Sequence, residues 1–176
     1  MGQNGEELKA LVEAAREGDD VAVRELVRRT QPVIWRLCSA LGSDGEADDL
    51  VQDTYLRALR SLSSYRGDGP VLAWLSAIAR RVCADHVRGR VRHRRLIGAL
   101  TQGLDERWES APGNPTGELL RGIDPDRRDA FMLTQVAGLS YEEAAMVLDC
   151  PIGTIRSRVA RARVDLLAEV RAAEAS

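Results

Sequence analysis

The sequence predicts an all-α protein made of two small helical domains joined by a flexible linker. Apolar residues recur three and four positions apart along most of the chain, and no strand-like alternation is long enough to compete. Aromatic residues make up only 4% of the 176 residues, so small aliphatic side chains must build the core, which suits helix packing. Glycine and proline cluster at residues 97–117, where the helical pattern stops. We therefore expect domains over residues 1–96 and 118–176.

The first domain is expected to contain four helices. The first is amphipathic over residues 6–17, and the second starts near residue 19 or 20 and runs to about residue 41, with Pro32 as an expected bend or break. The third follows residue 48, and the fourth covers residues 71–88 or extends beyond them. Trp74, at the start of the fourth helix, is interpreted as a residue of the core or of the helix cap.

The third helix has one apolar arc and one polar arc at 100° per residue. The inward arc is Val51, Tyr55, Ala58, Leu59 and Leu62. The opposite arc carries Gln52 and Asp53 together with Leu56, a large apolar residue. A single exposed leucine is common and usually carries no function. One flanked by Gln and Asp is also what a partner-docking patch presents, so spacing alone leaves both interpretations open.

The charges are unevenly distributed although the formal net charge is only −2. Residues 80–95 contain seven arginines and one acid, Asp85, and residues 154–163 contain four arginines and no acid. Residues 44–53 contain five acids and no base. Two separate basic patches indicate a polyanion that is touched in two places. The alternative for either patch is a solvated helix face.

A helix-turn-helix is the clearest motif of the second domain. Ser140 and Glu143 have the spacing of a capping box, and Pro151 separates the first short helix from the next. The second helix carries an apolar stripe, and its outward residues are Gly153, Arg156, Ser157, Ala160 and Arg161. Arginine matches the O6 and N7 atoms of guanine, so this helix is expected to read base edges. Arg158 and Arg163 lie on its flanks, better placed for phosphates. The alternative is a helical hairpin with a solvated basic face.

The sequence lacks the motifs of the common enzyme classes. It contains no GxxxxGK[ST], no GxGxxG after a strand and no GxSxG, so we expect no enzymatic activity and no cofactor. Cys83, His86 and His93 do not form a convincing metal site, because no close cysteine pair accompanies them. The odd count of three distant cysteines argues against a disulfide framework and favours a reducing cytoplasm. No apolar run predicts a membrane span or a secretory signal.

Five segments together resemble the extracytoplasmic-function (ECF) group of sigma factors, the promoter-recognition subunits of bacterial RNA polymerase in the sigma-70 family. They are DDLVQDTYLRAL at 48–59, WLSAIAR at 74–80, DHVR at 85–88, GLSYEEAA at 138–145 and CPIGTIRSRVARAR at 150–163. The resemblance implies a sigma domain 2, a linker without the extra middle domain of larger sigma factors, and a winged-helix-like sigma domain 4. It also implies that core polymerase and promoter DNA are the partners, with an anti-sigma factor as a further candidate.

The resemblance also implies roles for individual residues. The residues that match the polymerase-docking region are Asp49, Gln52, Asp53 and Leu56. Those that match the segment reading and melting the −10 element are Arg80, Arg81, Asp85, Arg88 and Arg90. Those that match the reader of the −35 element are Thr154, Arg156, Ser157, Arg158, Ala160 and Arg161. The linker resembles the segment that threads toward the RNA exit path, where its acids could mimic RNA.

One departure and one alternative remain at this point. Arg81 stands where asparagine is frequent in the family, which leaves the base preference at that position open. The alternative function is a stand-alone helix-turn-helix regulator that binds DNA as a dimer, which predicts binding to a palindrome without polymerase.

Overall fold

The computed structural model describes residues 2–42, 45–100, 119–120 and 122–174. The prediction of an all-α protein is confirmed, and no β-strand occurs in these ranges. The helices are α1 (Gly2–Arg16), α2 (Asp20–Leu41), α3 (Ala47–Arg60), α4 (Val71–Leu100), α5 (Pro125–Phe131), α6 (Tyr141–Leu148) and α7 (Ile152–Glu174). A 3₁₀ turn (Leu62–Ser64) follows α3, and a π-helical turn (Met132–Val136) follows α5.

Helix α2 is the centre of the first half and packs against α1, α3 and α4. The carboxylate of Asp19 accepts hydrogen bonds from the amides of Val21 (2.7 Å) and Ala22 (3.1 Å), which starts the helix. Helix α2 continues through Pro32, so of the two expected outcomes, a bend or a break, the break does not occur. Pro32 is exposed, so water can satisfy the carbonyl that loses its partner, and buried residues on both sides, Leu26 and Ile34, hold the helix in the core.

Helices α3 and α4 pack against each other and close the first half. Val51, Tyr55 and Ala58 are buried, as the apolar arc of the third helix predicts. Trp74 is half-buried and packs against the core, with its ring centroid 5.2 Å from that of Tyr65. Helix α4 continues to Leu100 and so includes the first four residues of the linker predicted over 97–117. The remainder of that linker lies outside the described residues.

The second half contains α5, the π-helical turn and the helix-turn-helix formed by α6 and α7. The carboxylate of Asp124 accepts from two amides at the start of α5, where Pro125 takes the first helical position. Gly138 has a φ of +70°, a conformation that suits glycine and directs the chain from the turn toward α6. Sequence reasoning missed both α5 and the π-helical turn, which lack a long apolar period.

The helix-turn-helix has the capping box, the turn and the apolar stripe that the sequence predicts. Ser140 Oγ accepts from the amide of Glu143 (3.1 Å), and Glu143 Oε2 accepts from the amide of Ser140 (2.7 Å), which completes the capping box. Asp149 ends α6 with a φ of 48°. Helix α7 then buries Ile155, Val159 and Ala162, spaced four and three residues apart, against the second half.

Among the described residues, no helix combines the length and the hydrophobicity that a membrane span requires. The thiols of Cys38 on α2 and Cys83 on α4 are both buried in the core. The interaction with the Cys38 thiol and burial raise the pKa of the Cys83 thiol, which keeps it protonated and unreactive.

Candidate functional site

The predicted docking residues form an exposed strip on α3, which we name the docking face (Asp49, Gln52, Asp53 and Leu56). Asp49 and Gln52 are exposed, Asp53 is half-exposed, and the Leu56 side chain is 46% exposed. The opposite side of α3 is anchored by buried Leu50, Val51, Thr54, Tyr55 and Ala58. Because that side of α3 is packed in the core, the docking face lies on the side of the helix that contacts solvent.

Arg57 connects the docking face to α4 through a chain of ion pairs. Its guanidinium contacts Asp53 Oδ2 at 2.9 Å and donates to Asp85 Oδ2 at 2.9 Å. Asp85 in turn accepts from Arg88 at 2.6 Å. The hydrogen bonds from Arg57 and Arg88 lower the pKa of Asp85, so this carboxylate remains charged at neutral pH. The sequence analysis did not single out Arg57, although its position four residues after Asp53 was a usable signal.

Trp35 on α2 borders the start of α3 and was also missed by the sequence analysis. Its indole Nε1 donates to Asp48 Oδ1 at 2.9 Å, and 43% of the residue is exposed. This contact joins α2 to the first turn of α3, just before the docking face. No periodic signal marks Trp35 in the sequence, because its partner is on another helix.

The predicted −10 residues lie along α4 in three different environments. Arg81 is exposed and makes no hydrogen bond or ion pair with a described residue, and Arg88 is exposed beside Asp85. Arg90 donates to Glu46 at 3.0 Å, and Glu46 also contacts His86 Nε2 at 2.5 Å. Arg80 donates to Asp129 of α5 at 2.5 Å. Positive charge is therefore partly presented to solvent and partly held by acids of the same chain.

The predicted −35 residues lie on the first three turns of α7. Arg156, Ser157, Ala160 and Arg161 are all exposed, while Thr154 is half-buried and its carbonyl accepts from Ser157 Oγ at 2.9 Å. The exposed arginines make no ion pair with a described residue. Because the opposite face of α7 is buried, these side chains share one solvent-facing surface of the size that a major groove admits.

Arg158 has a different environment from the other arginines of α7. Its guanidinium donates to Asp126 at the start of α5 and to Cys150 Sγ at 3.6 Å, and only 25% of its side chain is exposed. The sequence analysis placed Arg158 on the flank for phosphate contact, and in the structure it braces α7 against α5. Arg163, the other flanking arginine, donates to Gln135 at 3.0 Å.

Comparison with known families matches both halves of the chain. The family described as Sigma-70 region 2 matches residues 26–93, which include the docking face and the predicted −10 residues. The family described as Sigma-70, region 4 matches residues 116–166, which include the helix-turn-helix. A probable RNA polymerase sigma-C factor of Mycobacterium bovis is 41% identical over 169 residues, which cover 93% of this chain and 91% of that protein.

The chain belongs to the ECF group of the sigma-70 family. The ECF sigma-E factor of Escherichia coli is 33% identical to it over 174 residues, covering 88% of this chain and 90% of that protein. As an ECF sigma factor, the chain binds core RNA polymerase and promoter DNA and directs transcription initiation. Nothing in these comparisons supports the alternative of a stand-alone dimeric regulator.

Solved structures of sigma factors share the fold of this ECF chain. CnrH, solved in complex with the cytosolic domain of CnrY, superposes with a TM-score of 0.74 at 29% identity, covering 94% of this chain and 98% of CnrH. RpoE of Bartonella quintana, solved with the anti-sigma factor NepR, superposes with a TM-score of 0.66 at 27% identity, covering 84% of this chain and 96% of RpoE.

Proposed function

We propose that this sigma factor divides its work among three helices. The docking face of α3 binds core polymerase, the basic segment of α4 (residues 80–95, of which the side chains of 94 and 95 lie outside the described residues) reads and opens the −10 element, and α7 reads the −35 element. In this division, residues 1–96 act as sigma domain 2, residues 118–176 act as sigma domain 4, and the intervening segment links them.

The observation that carries this proposal is the surface of α7. Arg156 and Arg161 are exposed on a helix whose other face is buried, and they follow a capped α6 and a tight turn. Guanidinium groups held this way can form paired hydrogen bonds to guanine in the major groove. Arg158 forms an ion pair with Asp126, which holds α7 against α5. Its guanidinium is therefore less available to DNA than those of Arg156 and Arg161.

We further propose that the protein has no catalytic activity of its own and acts in the cytoplasm, where the polymerase is. The described residues hold no cluster of three or more His, Cys, Asp or Glu that could hold a metal ion. RpoE of Bartonella quintana was solved with an anti-sigma factor, which supports an anti-sigma factor as a third partner of this chain.

The test of base reading is a promoter panel varied separately at the two elements and transcribed with core polymerase. Arg161→Ala should blunt discrimination among −35 variants, because a lost bidentate contact to a base costs about 1–3 kcal/mol at that position. Preferences at −10 should remain. Arg171→Ala is the matched control, since Arg171 is an exposed arginine in the last turn of the same helix. A change in −10 preference, or an equal loss at all promoters, would refute base reading by α7.

A further inference from the structure

An exposed tryptophan on α2 lies beside the docking face. Trp35 is 43% exposed, whereas Ile34 and Leu37 on the same part of α2 are fully buried. Tryptophan is highly buried on average in folded proteins, because its indole carries a large apolar area. Since α2 continues to Leu41 and is packed in the core at this point, the exposure does not result from a helix end. A packed helix therefore holds this indole where a partner can reach it.

A hydrogen bond fixes the indole at one edge of the docking face. Trp35 Nε1 donates to Asp48 Oδ1 at 2.9 Å, between residues 13 positions apart in the chain. Asp48 is four residues before Gln52, so the two side chains lie on the same side of α3, about 40° apart around the helix axis. Asp48 and Gln52 are both exposed. The docking face of α3 therefore continues onto α2.

This combined surface has two large apolar side chains and an acidic strip. Leu56 is eight residues after Asp48, which places it about 12 Å farther along α3 than the contact with Trp35. Asp49 is exposed and Asp53 is half-exposed, and both lie between them. Two separated apolar groups with acids between them match a protein surface that offers apolar pockets and cationic side chains.

Single-stranded DNA is the competing occupant, because an unpaired base can stack on an indole. Residues 44–53 contain five acids and no base, and a surface of that charge repels phosphates. The arginine patches of the chain lie elsewhere, on α4 and α7. A second copy of this chain is also disfavoured, since a twofold contact would bring the same acids together. The charges therefore favour a different protein.

We propose that Trp35 is a second apolar anchor for core RNA polymerase and that Asp48 positions its indole. Polymerase is the occupant because Trp35 is continuous with the docking face and shares its acidic surroundings. Tryptophan is enriched among the few interface residues that contribute most of the binding energy. The inference rests on the proposed docking of α3, and measuring Leu56 alongside Trp35 distinguishes the failure of one from the failure of the other.

Hydroxyl-radical footprinting of the wild-type chain tests the contact without a substitution. The chain is oxidised free and with saturating core polymerase, and mass spectrometry gives the oxidation rate of each side chain. The rates of Trp35 and Leu56 should fall about fivefold or more, because an anchor loses its water in the interface. Val21, which is 64% exposed near the start of α2, is the control and should keep its rate.

The footprint has two outcomes that contradict the proposal. If Leu56 is protected and Trp35 is not, the anchor role of Trp35 is wrong and the docking of α3 stands. If neither side chain is protected, the docking face itself is in the wrong place, and the role of Trp35 fails with it.

Substitution measures how much the indole contributes to binding. Trp35→Ala should raise the Kd for core polymerase about tenfold or more, and Trp35→Phe about threefold, because the smaller ring fills part of the pocket but cannot bond to Asp48. Val21→Ala is the control on the same helix. A Kd for Trp35→Ala equal to that for Val21→Ala would overturn the anchor role, and the footprint remains decisive if Trp35→Ala lowers stability.

Two substitutions at Asp48 separate positioning from charge. Asparagine retains an oxygen that can accept from the indole, and alanine does not. Asp48→Asn should bind polymerase within about twofold of wild type, and Asp48→Ala about three- to fivefold more weakly. Trp35→Ala combined with Asp48→Ala should bind like Trp35→Ala alone, since the partner of Asp48 is already absent. Equal losses in Asp48→Asn and Asp48→Ala, or additive losses in the double variant, would show that Asp48 does not act through Trp35.

The competing occupants are tested with the same proteins. A fluorescein-labelled single-stranded DNA of mixed sequence is titrated with polymerase that is saturated with wild type or with Trp35→Ala, and with core polymerase alone in parallel. The two saturated complexes should give the same anisotropy curve. Weaker DNA binding by the Trp35→Ala complex would assign the indole to DNA and overturn the proposal. Protection of Trp35 that grows with the concentration of the free chain would assign it to a second copy, with the same consequence.

Discussion

Leu56 is the residue on which the docking proposal depends most directly. It is 46% exposed, so removing its side chain should change the free energy of unfolding by less than about 1 kcal/mol. An apolar anchor at the centre of an interface contributes more, and we expect Leu56→Ala to weaken core polymerase binding about five- to tenfold. Titration of labelled protein with purified core polymerase measures this.

Val21 offers the matched control for that experiment. It is 64% exposed on α2 and lies outside the docking face, so Val21→Ala should bind polymerase like wild type. If Leu56→Ala and Val21→Ala bind equally well, the docking face is in the wrong place. Asp53→Arg extends the test, because it reverses a charge on the same surface and breaks the contact with Arg57.

Tyr55 makes the stability of the first half sensitive to alkaline pH. Burial raises the pKa of Tyr55 to about 12, against a smaller opposing effect of its hydrogen bond with Thr30 (2.7 Å). In the unfolded chain tyrosine has a pKa of about 10. Between these values unfolding releases a proton, so raising the pH favours the unfolded state.

Between pH 10 and pH 12, Tyr55 is expected to lower the free energy of unfolding by about 1.36 kcal/mol per pH unit. The total decrease approaches about 2.7 kcal/mol once the pH exceeds the folded-state pKa. Tyr55→Phe should remove this part of the alkaline decrease, and its stability at pH 8 gives the direct cost of losing the hydroxyl. Urea unfolding at pH 8, 10 and 11.5 measures both. An identical decrease in wild type and Tyr55→Phe would show that the phenol ionises normally in the folded state.

Among the elements, α6 depends most on Ser140, the residue that caps its N-terminus. The Ser140 hydroxyl and the Glu143 carboxylate each satisfy an amide that the helix leaves free, and α6 has only eight residues. Ser140→Ala should lower the free energy of unfolding by about 1 kcal/mol. Ser140→Thr should retain most of the cap, and Ser63→Ala, which removes an exposed hydroxyl of the 3₁₀ turn, is the control. Equal stability of both alanine variants in urea would contradict the capping role.

Helices whose ends and buried faces depend on residues close together in the chain were predictable from the sequence. The capping box, the break at Pro151 and the apolar spacing of Ile155 and Val159 are all readable within a few residues, and the structure has each of them. The break that the sequence allowed at Pro32 does not occur, because the cost of a proline depends on whether the freed carbonyl faces water, which spacing does not reveal. The exposed side of α3 was predictable for the same reason as its core side, since one helical period determines both.

At the scale of the whole molecule, contacts between residues far apart in the chain could not be predicted from the sequence. The partners of Arg80 and Arg158 lie 49 and 32 positions away, and Trp35 bonds to a residue of the next helix. No period or motif marks such pairs, because they depend on how helices pack. The sequence therefore predicted which arginines form basic patches but not which of them are held by acids of the same chain.

Transcription with purified core polymerase tests the division of work among the three helices most directly. The chain and a bacterial core enzyme are incubated with a library of genomic fragments, and the 5′ ends of the transcripts are mapped. We expect discrete start sites that require both proteins and that share two upstream elements, with Leu56→Ala reducing all of them and Arg161→Ala altering the choice at −35. Absence of discrete start sites, together with binding of the chain alone to a palindrome, would contradict this division.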